Sequence, residues 1–450
     1  MSYTLIYPIL LRIFLVQRGW WVLPVRIFIR VLFFKRFFLR REVRFRTHYQ
    51  GLFCDNIRII FCVLSVLVVL VSAAATVRRR KVGITINFFI SLVRLLFLFS
   101  TNNLISYFLL FELSLVPLYF LIAFWGRQYE RVLSNYYFIL FSVVTSVPLF
   151  LIVCELFNEG CLEYSAIGLL LPSRYQVISL WIIFRILLAF IAKLPVYRLH
   201  SWLPKAHVDA PVRGSIVLAG ILLKLRRYRV VRLAFRFSST VRLLLIFRVW
   251  GYLVTAVICM RLVDYKVVVA YSSVSHISIA FSRIISYIIW RFTRAFYIII
   301  RHRVVSPLMF YIRNLWYERV GTRRIRNIKR SKMWFRVASL FLVTFLFNIR
   351  FPPFINFFAE VSLFYSITLS FSVCAGLAFL GFCFSRICWL NIFVIIFHSK
   401  KPERVPNYLT LLEVLLGRVL VLSFLVFSVA LNILCKFRLK KLKVFKTLDA

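Results

Sequence analysis

Carboxylates are scarce in this 450-residue chain: 14 Asp and Glu stand against 60 Lys and Arg. A basic surface for nucleic acid or acidic lipid would need those cations clustered on one polar face. They are interspersed singly among Leu, Ile and Phe, so that use is excluded for most of them. Glycine is also sparse, at 13 residues, and methionine sparser, at 4. The 9 cysteines form no CxxC or CxxxC pair. The nearest two, Cys383 and Cys388, lie in an apolar run, which suits membrane packing better than zinc or an iron–sulfur cluster. No GxGxxG and no P-loop occurs, so NADH, flavin and ATP have no recognisable seat. The amino end lacks a short apolar core closing on small residues, and no cleavable signal peptide is expected.

Apolar residues are what the chain has in excess. They make up 62% of it, with 49 Phe alone. No soluble domain of this size needs so much apolar surface, so the class is an all-α polytopic membrane protein. Runs near the ~20 residues that span a bilayer recur along the chain. Spans are expected near 58–76, 84–100, 103–124, 136–154, 177–197, 208–225, 242–260, 266–287, 289–312, 335–350, 363–397 (one or two) and 409–435. With one or two more before residue 40, the total is about 13 transmembrane helices. Residues 1–50 alternate apolar patches with arginines and carry little that can be read. Polar loops are expected at Val77–Lys81 and over 317–332, and five lysines in Lys436–Lys446 place the tail on a surface.

The arginines sit awkwardly in this picture. There are 45 of them against 15 Lys, and Arg94, Arg185, Arg248, Arg283, Arg386 and Arg418 all fall inside apolar runs. At about 2.5–3.5 kcal/mol each on insertion scales, six would cost about 15–21 kcal/mol, which neighbouring Leu and Phe offset only in part.

The stretch Lys193–Arg232, KLPVYRLHSWLPKAHVDAPVRGSIVLAGILLKLRRYRVVR, concentrates the chemistry. It joins two apolar runs through Pro195, Pro204 and Pro211, and it holds Lys193, His200, Lys205, His207, Asp209 and Lys224. Ionisable groups at membrane depth face a polar interior or an aqueous path. Backbone groups freed by proline are tolerated there only where protein or water satisfies them. Two broken membrane helices carrying a charge-transfer path are therefore expected. His200 and His207 suit proton passage near neutral pH and equally suit hydrogen-bonded loop positions; their spacing is poor for a zinc pair. Lys205 and Asp209 flank the break, as apt to be solvated as functional. Glu112 lies in mid-run and must be protonated or paired. Lys266 and His276 bracket Ser272, Ser273 and Ser275, which serve either helix packing or a hydrated path, and His302 follows. Pro352 and Pro353 break a later helix just before Glu360. Two broken helices in separate halves mark inverted-repeat transporters, with ion sites at the breaks.

Leu194–Arg232 resembles the core motif of the chain 4 family of mitochondrial NADH:ubiquinone oxidoreductase (complex I), antiporter-like proton-pumping subunits. LPKAHV and LLKL carry the match most specifically. Weaker likeness extends over about residues 100–365: Glu112 with Pro117, Trp125 and Gly126, then DYKVVVAYSSVSHIS, then the segment around His302. The resemblance implies that Glu112 and Lys193 form a coupling pair, Lys224 a central relay and Glu360 an exit-side acid. His200, His207, Lys266, His276 and His302 are possible relays. It also implies residence in the mitochondrial inner membrane beside other membrane-arm subunits of complex I, with lipid around it and no nucleic acid. On this reading the chain has no cofactor of its own; NADH, FMN, iron–sulfur clusters and ubiquinone belong to partner subunits. The division implied is a poorly matched 1–80, a proton-translocating core over 81–400, and a last helix with a basic tail over 401–450. A stand-alone cation/proton antiporter of the same fold is the nearest alternative, and a basic membrane-surface or nucleic-acid binder a remote one.

The resemblance also accounts for the arginines. Arg198, Arg226, Arg227, Arg229 and Arg303 stand where the family has glycine. Some mitochondrial codes read AGA and AGG as Gly or Ser, so many of these Arg are expected to be Gly in the protein itself. The paucity of Met among so many Ile fits a second misreading, of AUA. Arg232 matches an arginine of the family and is expected to be real.

Overall fold

The computed structural model describes residues 56–74, 82–101, 103–126, 128–158, 200–222, 242–285, 289–325, 335–349, 355–368 and 372–397, with positions 351, 417 and 421. Lys193, Lys224, Arg198, Arg226, Arg227, Arg229, the first 55 residues, the run 177–197, the prolines at 352 and 353 and the lysine tail lie outside them.

Among the described residues the fold is helical, without strands. In order the helices are α1 (Asn56–Ala74), α2 (Val82–Ser100), α3 (Leu104–Trp125), α4 (Arg131–Asn158), α5 (Trp202–Asp209) and α6 (Val212–Val217), which runs into a π turn (Leu218–Leu222). Then come α7 (Arg242–Arg261), α8 (Tyr265–Ile285), α9 (Ile289–Val320), α10 (Phe335–Ile349), α11 (Ile355–Thr368) and α12 (Ser372–Phe397). Ile105–Trp125, Arg131–Glu155 and Val373–Phe397 are long and apolar enough to cross a membrane. The run 363–397 is divided, since α11 stops at Thr368 before α12 starts at Ser372.

Helix α3 shows why these segments read as spans. Phe111, Leu115, Leu118, Leu121 and Ile122 are buried, yet Leu109, Leu113, Val116, Phe120 and Phe124 form an exposed stripe on the same helix. An apolar helix on all sides is at home only where both surroundings are apolar, protein on one side and lipid on the other. The protein-facing sides meet in a shared core. Helix α2 packs on α1 and α3, α7 on α8 and α12, α5 on α4 and α8, and α6 on α1 and α9. Val249 and Tyr252 of α7, Ile279 of α8, Ile367 of α11 and Phe382 of α12 make a second, smaller cluster.

Two glycines set close geometry. The expected loop over 317–332 starts later than its charges suggest: α9 continues through Tyr317, Glu318 and Arg319, good helix formers all but Tyr. Gly321 ends it with φ 71° and an N–H donated to Tyr317 O at 3.0 Å, the left-handed cap that glycine adopts without penalty. Gly381 of α12 faces α7, where an added Cβ would lie 2.7 Å from the Tyr252 ring and 3.2 Å from the Leu253 Cα. Backbone cannot yield as a flexible side chain does. Gly381→Val is therefore expected to destabilise by about 1–3 kcal/mol, read as an earlier thermal unfolding of the detergent-solubilised protein. An unchanged transition would show that α7 and α12 do not pack this closely.

Candidate functional site

The expected break is present, and it falls at Ala210–Pro211. Pro211 has no N–H to continue the helix and restricts the residue before it. Ala210 and Pro211 accordingly adopt extended ψ values of 143° and 156°. The expected single run over 208–225 is thus the end of α5, the break, α6 and the π turn. Pro204 breaks nothing. It sits in the first turn of α5, where a missing N–H costs little. Sequence reading gave all three prolines the same weight, but only Pro211 among the described residues interrupts.

Lys266, in the first turn of α8, reaches into this break. Its buried ammonium donates to Val208 O and to Ala210 O, each at 2.8 Å. The Asp209 carboxyl between those carbonyls is buried too, with Lys266, Arg323, Glu130 and Ser134 about it. Lys205, by contrast, is exposed, its ammonium 4.0 Å from the centre of the Tyr137 ring.

The histidines fall into two settings. His200 precedes α5 and meets Tyr271 of α8 edge to face at 5.5 Å, while His207 lies wholly buried and stacked on Phe310 of α9 at 4.8 Å. Further along, His276 of α8 and His302 of α9 are brought together, ring centres 5.8 Å apart at 76°. His276 Nε2 lies 3.1 Å from Asn348 Oδ1 of α10. The Ser306 hydroxyl donates to His302 O at 2.7 Å and stands 3.4 Å from Ala219 O in the π turn. Asn348 and Ser306 went unnoticed in the sequence; a lone amide in the apolar run FLFNI was the available signal.

The serine hydroxyls of α8 bond to their own helix. Ser272, Ser273, Ser275 and Ser278 each donate to the carbonyl three residues earlier, at 2.7–2.9 Å. Glu360 is buried on α11 and Glu112 half-buried on α3. One turn past Glu112, Pro117 leaves Leu113 O without its helical donor, and Arg94 Nη1 of α2 fills that place at 2.6 Å. Arg303 of α9 is different: it is fully buried, 5.0 and 5.5 Å from the centres of the Phe61 and Phe99 rings. Among the described residues its Nε, Nη1 and Nη2 have no hydrogen-bond acceptor.

Residues 101–387 match the family described as NADH:quinone oxidoreductase/Mrp antiporter, TM. NADH-ubiquinone oxidoreductase chain 4 of Branchiostoma lanceolatum is 36% identical over 264 residues, 57% of this chain and 58% of that one. The chain 4 of Arbacia lixula is 38% identical over 267 residues, again 57% and 58%. The chain thus spans less than two thirds of the length of these curated relatives. Among solved structures, a chain of respiratory complex I from Thermus thermophilus with bound NADH superposes with a TM-score of 0.73 at 24% identity, covering 84% of this chain and 82% of that one. A chain of the membrane-bound sulfane sulfur reductase, an archaeal respiratory membrane complex, gives the same TM-score at 16% identity, covering 84% and 81%. At those identities the likeness speaks for the fold.

Proposed function

This chain belongs to the NADH:quinone oxidoreductase/Mrp antiporter family of membrane proteins, and on that premise we propose that it is a proton-translocating subunit in the membrane arm of complex I. The observation that carries this reading is a broken helix set among buried ionisable side chains: His200, His207, Asp209, Lys266, His276 and His302. Buried ionisable groups in a membrane interior are costly, and their default explanation is an ion path. No redox group is assigned to the chain. Electrons pass from NADH to ubiquinone in partner subunits, and this subunit answers with charge movement in the mitochondrial inner membrane. About 13 helices in two inverted repeats would frame the path, within a core over 81–400.

In the proposed sequence of events, Glu112 and Lys193 form an ion pair whose balance a neighbouring charge can tip. Opening the pair changes the proton affinity of Lys224, the His276–His302 pair serves as a further relay, and Glu360 is the exit-side acid. The Mrp branch of the family makes stand-alone cation/proton exchange the second reading; exchange persisting in the isolated subunit without NADH would favour it.

The test is a double-mutant cycle in the assembled complex. Removing either partner of a buried pair leaves an uncompensated charge, a loss of about 3–5 kcal/mol. Glu112→Gln with Lys193→Met should therefore harm assembly less than the two single effects added, with a coupling of about 0.5–3 kcal/mol. Pumping should stay lost in the double variant, because the charges that switch are gone. Additive assembly losses would place the two groups in separate environments and end the coupling role.

A further inference from the structure

We propose that Lys266 is a positioning residue: its ammonium clamps the break between α5 and α6 and stays charged, rather than passing a proton along the path. The inference rests on the reading of the chain as a proton-translocating subunit. Its own evidence is the geometry at Val208, Asp209 and Ala210.

A helix that ends inside a membrane leaves carbonyls without donors, and each must be satisfied or the end is costly. At the end of α5 the backbone turns extended at Ala210 and Pro211, which takes the helical donors of Val208 O and Ala210 O out of reach. Lys266 Nζ replaces both, with bonds of 2.8 Å to Val208 O and Ala210 O, one on each side of Asp209. These are charge-assisted bonds, roughly twice as strong as neutral ones. The negative end of the α5 dipole and the nearby Asp209 carboxyl favour a cation at this point. An ammonium has three protons to direct at such acceptors. A neutral amine would keep two donors but lose the charge assistance and the attraction of Asp209 and the helix end, so this setting favours the charged form. A relay needs two protonation states of similar energy; a clamp needs one.

The stem of a lysine is flexible, so a clamp works only where its backbone is fixed. Lys266 has that footing. Tyr265 N–H donates to Arg323 O at 3.2 Å and Ile325 N–H to Val263 O at 2.9 Å, tying the start of α8 to the turn that Gly321 opens after α9. The break is therefore held from α8, and α8 from the end of α9. Releasing Lys266 would free the direction in which α6 and the π turn leave the break, and with it the backbone that leads to Lys224.

The experiment uses the assembled complex in proteoliposomes, carrying Lys266→Met or Lys266→Arg beside the unaltered subunit. NADH oxidation, protons moved per NADH and amide hydrogen exchange over residues 203–217 are measured. Lys266→Met should speed exchange at the break by about tenfold or more and lower the protons moved per NADH. Lys266→Arg keeps donors and charge but cannot give up a proton, and it should restore both readouts. Exchange at the break unchanged in Lys266→Met would overturn the clamp. So would Lys266→Arg that protects the break fully yet pumps no better than Lys266→Met, since that is the behaviour of a relay. Failure of the unaltered complex to move protons would instead sink the functional reading, while the exchange data would still decide the clamp.

Discussion

Replacing Lys224 with Met is expected to abolish NADH-driven proton uptake while leaving the subunit inserted and the complex assembled. Met has a similar length and apolar volume but carries no proton, so the change removes chemistry with little disturbance of packing. Lys224 itself lies outside the described residues, but the approach to it does not. The π turn Leu218–Leu222, a form frequent at functional sites, ends two residues before it. The loosened carbonyl of Ala219 faces Ser306, whose hydroxyl is already bound to the backbone of His302. Protons moved per NADH oxidised is the measurement. Pumping that survives unchanged in an assembled complex would mean that Lys224 reaches the membrane surface by its long stem and serves structure alone.

Much of this arrangement was legible in the sequence because it is local. Proline, apolar run length and lone charges announce breaks, spans and sites without knowledge of neighbours. The contacts that make a site are another matter. Lys266 lies 58 residues from Val208 and 56 from Ala210, and nothing in their spacing couples them; both segments read as candidates for a path, never as lock and bolt. Asn348 lies 72 residues from His276 and was invisible for the same reason. Orientation was hidden too. In α3 the buried and exposed stripes are equally apolar, so the period that tells core from solvent in a soluble helix has no contrast to reveal here. The serine hydroxyls of α8 return to their own helix. The sequence could place them beside His276 but could not say which way the protons point.

Mass spectrometry of the native polypeptide is expected to return glycine, not arginine, at position 303, and likewise at 198, 226, 227 and 229. Position 303 makes the physical case because its surroundings are described. A fully buried guanidinium there faces the Phe61 and Phe99 rings. Such cation–ring contacts supply about 0.5–2 kcal/mol. Against that stand about 2.5–3.5 kcal/mol for an arginine at the centre of a membrane helix and the further cost of N–H donors that find no acceptor among the described residues. Glycine in the same helix costs only about 1 kcal/mol. With three such donors at about 1–3 kcal/mol each, the balance favours glycine even against about 4 kcal/mol from both aromatic contacts. Arg94 shows what a tolerated arginine looks like: half-buried, with Nη1 on the carbonyl that Pro117 leaves open. A second measurement follows from the same balance. Chains made with Arg303 should insert and assemble less well than chains made with Arg303→Gly, and the defect should not depend on NADH oxidation. Arginine recovered at 303 from the native protein would overturn the miscoding, and the large positive charge of the chain would then need a structural partner of its own.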